Sequence, residues 1–185
     1  MSLSDSIHQL TEGLRRGDPS AQEQLLSQYA PRLFQLIARL TPNTADAEEL
    51  TQDTLLRAIH NIERFEPSKA SFTTWISRIA YRLTLNHLRQ PSLTTVTLDE
   101  NTYVATDEEI TQALQTPDDT TADLLQKALD YLPPDDLTLI NLFYYDELPL
   151  NEIAYIVDRP PGTIATQLHR IRKKLFSIIL KLKQQ

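Results

Sequence analysis

After Asp158 the chain carries seven Lys or Arg and no acid. Five of these cations, Arg159, Arg170, Arg172, Lys173 and Lys174, stand in the stretch DRPPGTIATQLHRIRKKL, residues 158–175. Such an unrelieved run suits the phosphates of a nucleic acid, because each contact releases condensed counterions. Just ahead of Arg170 lie Ala165, Thr166 and Gln167. A glutamine amide can read adenine and a Thr or Ala methyl can touch that of thymine, so this face is not silent toward bases. A second basic group comprises Arg78, Arg82 and Arg89, with Tyr81 and His87 between them and no acid from Ser71 to Gln90. Cations interleaved with rings suit single strands, where arginines meet phosphates and aromatics stack on unpaired bases. A third group has the opposite sign: Asp46, Glu49 and Asp53, with Leu56 on the same stripe. On pattern alone each group also reads as an ordinary solvated face, and that alternative stays open.

Other chemistries are poorly served. There is no Cys, which excludes thiol catalysis, disulfides and cysteine-based zinc sites. The four His show no metal-ligand spacing, so no metal is expected. Neither a Walker motif nor GxGxxG is present, and no Ser or Asp sits in a nucleophile setting. The expectation is a protein that is not an enzyme, with no catalytic residues and no cofactor. No apolar run approaches the roughly 20 residues of a membrane span. The polar N-terminus MSLSDSIHQL lacks the apolar centre of a signal peptide. A soluble cytoplasmic protein without membrane insertion is therefore expected.

The elements that must position these groups are helical. Three glycines in 185 residues, with Leu, Ala, Gln, Arg and Glu abundant, predict a nearly all-α chain. The net charge of -7 is unevenly placed. Residues 1–90 hold ten acids and ten bases, and residues 123–185 eight of each. The stretch 91–122 holds seven acids, no base and many Thr, which reads as a poorly ordered acidic linker. The predicted architecture is two small helical domains, 1–90 and 123–185, joined by that flexible tether.

In the first domain four helices are predicted. Ile7, Leu10 and Leu14 stripe the first; Asp18 caps the second, which opens at Pro19, kinks near Pro31 and runs to about Leu40. Asn43 or Thr44 caps the third, whose apolar face is Leu55, Ala58, Ile59 and Ile62. The fourth, FTTWISRIAYRLTLNHLRQ, is expected to bury Phe72, Ile76, Ile79 and Leu83, with Trp75 in the core. In the second domain Thr121 is a plausible cap for a helix burying Leu124, Leu125, Ala128, Leu129 and Leu132. Pro133 and Pro134 stop it and start PDDLTLINLFYYDEL. Then LNEIAYIV, the turn DRPPG and a long last helix buried along Ile164, Leu168, Ile171 and Leu175 make a helix-turn-helix pattern.

Taken together, YAPRLFQLIARLTPNTADAEELTQDTLLRAI, RFEPSKASFTTWISRIAYRLTLNHLR and ALDYLPPDDLTLINLFYYDELPLNEIAYIVDRPPGTIATQLHRIRKKL resemble a bacterial extracytoplasmic-function sigma factor of the sigma-70 family. The resemblance implies that DAEELTQDTLLRA docks on the clamp helices of the largest subunit of core RNA polymerase. Asp46, Glu49, Gln52, Asp53, Leu56 and Arg57 fall on matching positions. It implies that the loop Phe65 to Ser71, with Ser68 and Lys69, and the helix after it, with Arg78, Tyr81, Arg82 and Arg89, melt and capture the minus-ten element. Trp75 matches a core position rather than a base-stacking wedge. It further implies that Thr163, Ala165, Thr166, Gln167, His169, Arg170, Arg172, Lys173 and Lys174 face the minus-thirty-five element of promoter DNA. The tether matches a linker that threads the polymerase. An anti-sigma factor is a usual partner of the family, and the free protein is expected to be monomeric.

Thirty-two tether residues reach at most ~105 Å at ~3.3 Å each and relax to about 30 Å. Promoter elements one and a half turns apart stand roughly 50 Å from each other, so the tether must be drawn out to span them. Departures from the family pattern lie at Ala165 and Gln167, where basic residues are usual, at Asp158 for a usual Gly, and at Arg82 and Asn86 for a commoner Asn and Asp. Asp tolerates a left-handed backbone better than most residues. The last helix should read an A/T-rich element weakly, with polymerase supplying most of the affinity. Two rival readings are a stand-alone helix-turn-helix regulator and a sigma-like adaptor without promoter reading.

Overall fold

The computed structural model describes residues 3–89 and 119–183. The body of the tether, residues 91–118, lies outside the described residues. Every regular element among the described residues is helical. In chain order these are α1 (Leu3–Arg15), α2 (Pro19–Ala38), α3 (Thr44–His60), a 3-10 turn (Ile62–Arg64), α4 (Phe72–Arg89), α5 (Asp119–Leu129), α6 (Pro134–Ile140), a π turn (Asn141–Tyr145), α7 (Leu150–Val157) and α8 (Pro161–Lys183). The chain forms two compact units. The first is α1 to α4 together with residues 151–159; the second holds α5, α6 and α8. No described helix is long and apolar enough to cross a membrane.

In the first unit α2 packs on α1, α3 and α4, and α3 packs on α4. Local chemistry sets the boundaries. Gly17, at φ 70°, ends α1 in the left-handed region that an L side chain resists. Asp18 then caps α2 by accepting from Ser20 N at 2.9 Å, with Pro19 in the first turn as expected. The helix continues through Pro31 to Ala38, two residues short of the predicted end. Asn43, not Thr44, caps α3, accepting from Ala45 N at 2.9 Å.

The buried face of α3 differs from its apolar stripe. Ala47, Leu50, Thr51, Thr54, Leu55 and Ala58 are interior, whereas Ile59 is only half-buried. Thr51 and Thr54 can be interior because their hydroxyls donate to the carbonyls of Ala47 and Leu50, each at 2.7 Å. Local satisfaction of that kind removes most of the cost of burying a hydroxyl. In α4 Phe72, Ile76 and Leu83 are buried as expected, and Ile79 is half-exposed. The core centre is aromatic: Phe72 meets Tyr29 edge-on at 5.2 Å and Phe65 at 5.2 Å, and lies 5.5 Å from Trp75. Such pairs add about 0.5–1.5 kcal/mol each beyond area burial.

In the second unit α8 packs on α5 and α6. Its buried positions include Ile164, Leu168, Ile171 and Leu175, the predicted stripe. α5 begins at Asp119, earlier than the cap read at Thr121. Ala128, Leu129 and Leu132 are buried, but Leu124 is half-buried and Leu125 is 40% exposed. Leu125 has the right helical phase, but the buried residues of this helix are Ala128 and Leu129 in its last turn, one turn beyond it.

Candidate nucleic-acid interfaces

α4 begins on a Ser71 cap. Ser71 Oγ accepts from Thr74 N at 3.1 Å, and Ser71 O from Trp75 N at 2.9 Å. Positions 78, 82 and 89 share one side of the helix, at spacings of four and seven. Arg82 and Arg89 are exposed and Arg78 is half-exposed. Ser68, Lys69 and Ser71 in the preceding loop are exposed too, with Lys69 Nζ 2.8 Å from Glu66 Oε1. Two predicted members of this group are interior: Phe65 is 3% and Tyr81 4% exposed. Phe65 is drawn in because its ring closes the aromatic cluster against Phe72 and Trp75. Burying a ring of that size is worth roughly 2–3 kcal/mol, which an exposed stacking platform would forgo. Trp75, at 7%, is in the core as its position implied.

Sequence reasoning missed what lies on the basic face of α4. Residues 74, 78 and 82 form one stripe, one helical turn apart. Against them, in the same unit, stand residues of α7 and its C-terminal turn. Thr74 Oγ1 donates to Glu152 Oε2 at 2.7 Å. The Arg78 guanidinium lies over the Tyr155 ring, 4.7 Å from its centroid. Asp158 bridges both arginines, with Oδ1 3.1 Å from Arg78 Nη2 and Oδ2 3.0 Å from Arg82 Nη2. Asp158 has φ 60°, the left-handed conformation anticipated for it. The available signal was that Asp158 and Arg82 depart together from the pattern around them.

The acidic stripe of α3 stands in the open. Glu49, Gln52, Leu56 and Arg57 are exposed, Leu56 to 53%, while Asp46 and Asp53 are half-exposed. Asp46 also meets α4, its Oδ2 3.3 Å from His87 Nε2. On α8, Thr163, Ala165, Thr166, Arg170 and Arg172 are exposed, and Gln167, His169, Lys173 and Lys174 half-exposed. The Thr166 hydroxyl donates back to Gly162 O at 3.0 Å, and Lys174 reaches Asp136 of α6 at 3.8 Å. α8 therefore presents small polar groups over its first turns and cations further along.

Two compact helical units, each carrying a helix with exposed cations, have the character of a helical nucleic-acid-binding protein. Residues 25–93 match sigma-70 region 2, and residues 122–175 match sigma-70 region 4. The chain is 33% identical over 173 residues to the extracytoplasmic-function (ECF) RNA polymerase sigma factor SigW of Bacillus subtilis, covering 88% of this chain and 90% of that one. It is 31% identical to the ECF sigma factor SigE of Mycolicibacterium smegmatis over 89% of this chain and 65% of the other. Among solved structures, CnrH in complex with the cytosolic domain of CnrY shares the fold at TM-score 0.65 and 18% identity, covering 93% of this chain and 96% of that one. RpoE bound to the anti-sigma factor NepR from Bartonella quintana does so at TM-score 0.59 and 21% identity, over 85% and 96%. The chain belongs to the ECF RNA polymerase sigma factors. It is an alternative sigma factor, a protein that directs core RNA polymerase in transcription initiation.

Proposed function

We propose that the division of labour runs along the chain: residues 1–90 dock on core polymerase and hold the minus-ten element, 91–122 tether, and 123–185 read the minus-thirty-five element. The observation that carries it is the α3 stripe. An exposed Leu56 among the carboxylates of Glu49 and Asp53 has no role in the core of its own unit. A large apolar side chain at the centre of a charged rim is the anatomy of a docking hot spot. On that reading Asp46, Glu49, Gln52, Asp53, Leu56 and Arg57 meet the clamp helices of the largest subunit.

For the minus-ten element the reading rests on the accessible members of the group: Ser68, Lys69, Ser71, Arg78, Arg82 and Arg89. Phe65 and Tyr81 support that surface from within. For the minus-thirty-five duplex, Arg170, Arg172, Lys173 and Lys174 supply phosphate contacts while Thr163, Ala165, Thr166, Gln167 and His169 face the groove. The protein works in the cytoplasm, without catalytic activity of its own, and is monomeric when free. An anti-sigma factor, of the kind bound to the RpoE relative, is the expected regulator. Run-off transcription with purified core polymerase tests the whole reading, since only a sigma factor starts RNA at a promoter. RNA from a cognate template is expected, and specific duplex binding without initiation would favour the stand-alone regulator instead.

A further inference from the structure

We propose that Asp158 is an internal stand-in for a DNA phosphate. By bridging Arg78 and Arg82 it closes the basic face of α4 in the free protein, and single-stranded DNA must displace it to bind there. The inference rests on the reading of α4 as a DNA-binding face.

The geometry is specific to that role. A carboxylate offers two oxygens, as a phosphodiester does, and here each oxygen takes a different guanidinium, at 3.1 Å and 3.0 Å. The bridge is supported on both sides: Glu152 accepts from Thr74 at 2.7 Å one turn before Arg78, and the Tyr155 ring lies 4.7 Å beneath the Arg78 guanidinium. Positions 152, 155 and 158 share one face of α7 and its turn, as 74, 78 and 82 share one face of α4. Two acids and a ring therefore occupy the places where phosphates and a base would sit. The left-handed backbone at Asp158, φ 60°, is what a glycine would satisfy without strain. A glycine there would leave the two arginines without this carboxylate. The arrangement is weak enough to open, because Asp158 is 65% and Arg82 56% exposed and exposed ion pairs are individually small. It delays unpartnered DNA binding without blocking promoter capture once polymerase holds the protein.

The test measures binding of a fluorescein-labelled oligothymidylate to the full-length free protein across a salt series. Asp158→Asn removes the charge but keeps tolerance of the left-handed backbone; Asp158→Gly removes the side chain and relaxes the backbone. Both are expected to bind about three- to tenfold more tightly, the range set by two exposed pairs of this kind. The log K against log salt slope should steepen by about 0.7 for each arginine freed to meet a phosphate. Combining Asp158→Asn with Arg78→Gln and Arg82→Gln should erase the gain. A gain that survives in that triple variant would overturn the proposal, since it would come from net charge rather than from this face. Unchanged affinity and slope in both Asp158 variants would also overturn it. If Arg78→Gln/Arg82→Gln then still weakened binding, the DNA-binding role of α4 would stand without the clamp; indifference of every variant would remove both.

Discussion

Gly13 and Gly162 have the same residue type and opposite tolerance. A methyl at Gly13 would lie 2.6 Å from Ala21 Cβ, so α1 could not keep its approach to α2. Gly13→Ala should destabilise by about 1–3 kcal/mol, the usual cost of overpacking a helix contact. Nothing lies within 4 Å of a methyl at Gly162, the second residue of α8, which has an ordinary helical backbone. Gly162→Ala should be neutral or stabilising by up to about 0.8 kcal/mol, because it narrows the unfolded ensemble. Denaturant midpoints at constant m compare the two, and equal effects would contradict the packing described here. Tyr29 adds a pH dependence. Burial pushes its phenol above the ordinary value of 10, opposed in part by the Thr73 hydrogen bond and the Arg32 charge. A raised folded value means that its stabilising contribution is complete below pH 10 and is lost as pH rises through the folded value. Tyr29→Phe keeps the ring against Phe72 and should flatten the loss of stability above about pH 10.

At the scale of elements, α3 and α8 separate docking from reading. Glu49→Lys with Asp53→Lys and Leu56→Ser should abolish capture by core polymerase while leaving helicity near wild type, since exposed substitutions rarely shift stability by more than about 0.5 kcal/mol. Asp46 is left out because its contact with His87 of α4 would mix docking with packing. Normal capture of the triple variant would return the stripe to an ordinary solvated face. On α8, Ala165→Lys with Gln167→Arg should add up to two contacts to a minus-thirty-five duplex. Its salt slope should steepen by about 0.9 per contact. The gain should be indifferent to sequence if the new side chains reach phosphates, and selective for guanine if they reach base edges. An unchanged slope would place these two positions away from DNA and favour the adaptor.

At the scale of the whole molecule the tether is expected to matter for length rather than sequence. Replacing residues 99–118 with a neutral flexible stretch should leave both units folded and initiation intact, because loop length enters stability only logarithmically. Deleting them should stop initiation by preventing simultaneous contact with both promoter elements. Run-off transcription separates the two variants, and full activity in the deletion would mean that nothing is being spanned.

Sequence alone determined whatever follows from local chemistry and period. The Asp18 and Asn43 caps need only their own side chains and the next turn. The Ile164–Leu168–Ile171–Leu175 stripe follows from the helical repeat, and the left-handed turn at Asp158 from a residue type that tolerates it. The joint pattern of two helical halves was sufficient to show the family. Tertiary structure decided what depends on neighbours far along the chain. Thr54 is interior and Ile59 half-exposed because the packing of α3 between α2 and α4, not hydropathy, chooses its inner face. Tyr81 turned inward although its place among the arginines suited stacking, and so did Phe65, which the resemblance put at the minus-ten surface, because burial of a ring outweighs display of one. The pairing of Asp158 with Arg78 and Arg82 joins residues 80 and 76 positions apart. No local pattern encodes such a pair, because its energy exists only once the fold has brought the two charges within reach.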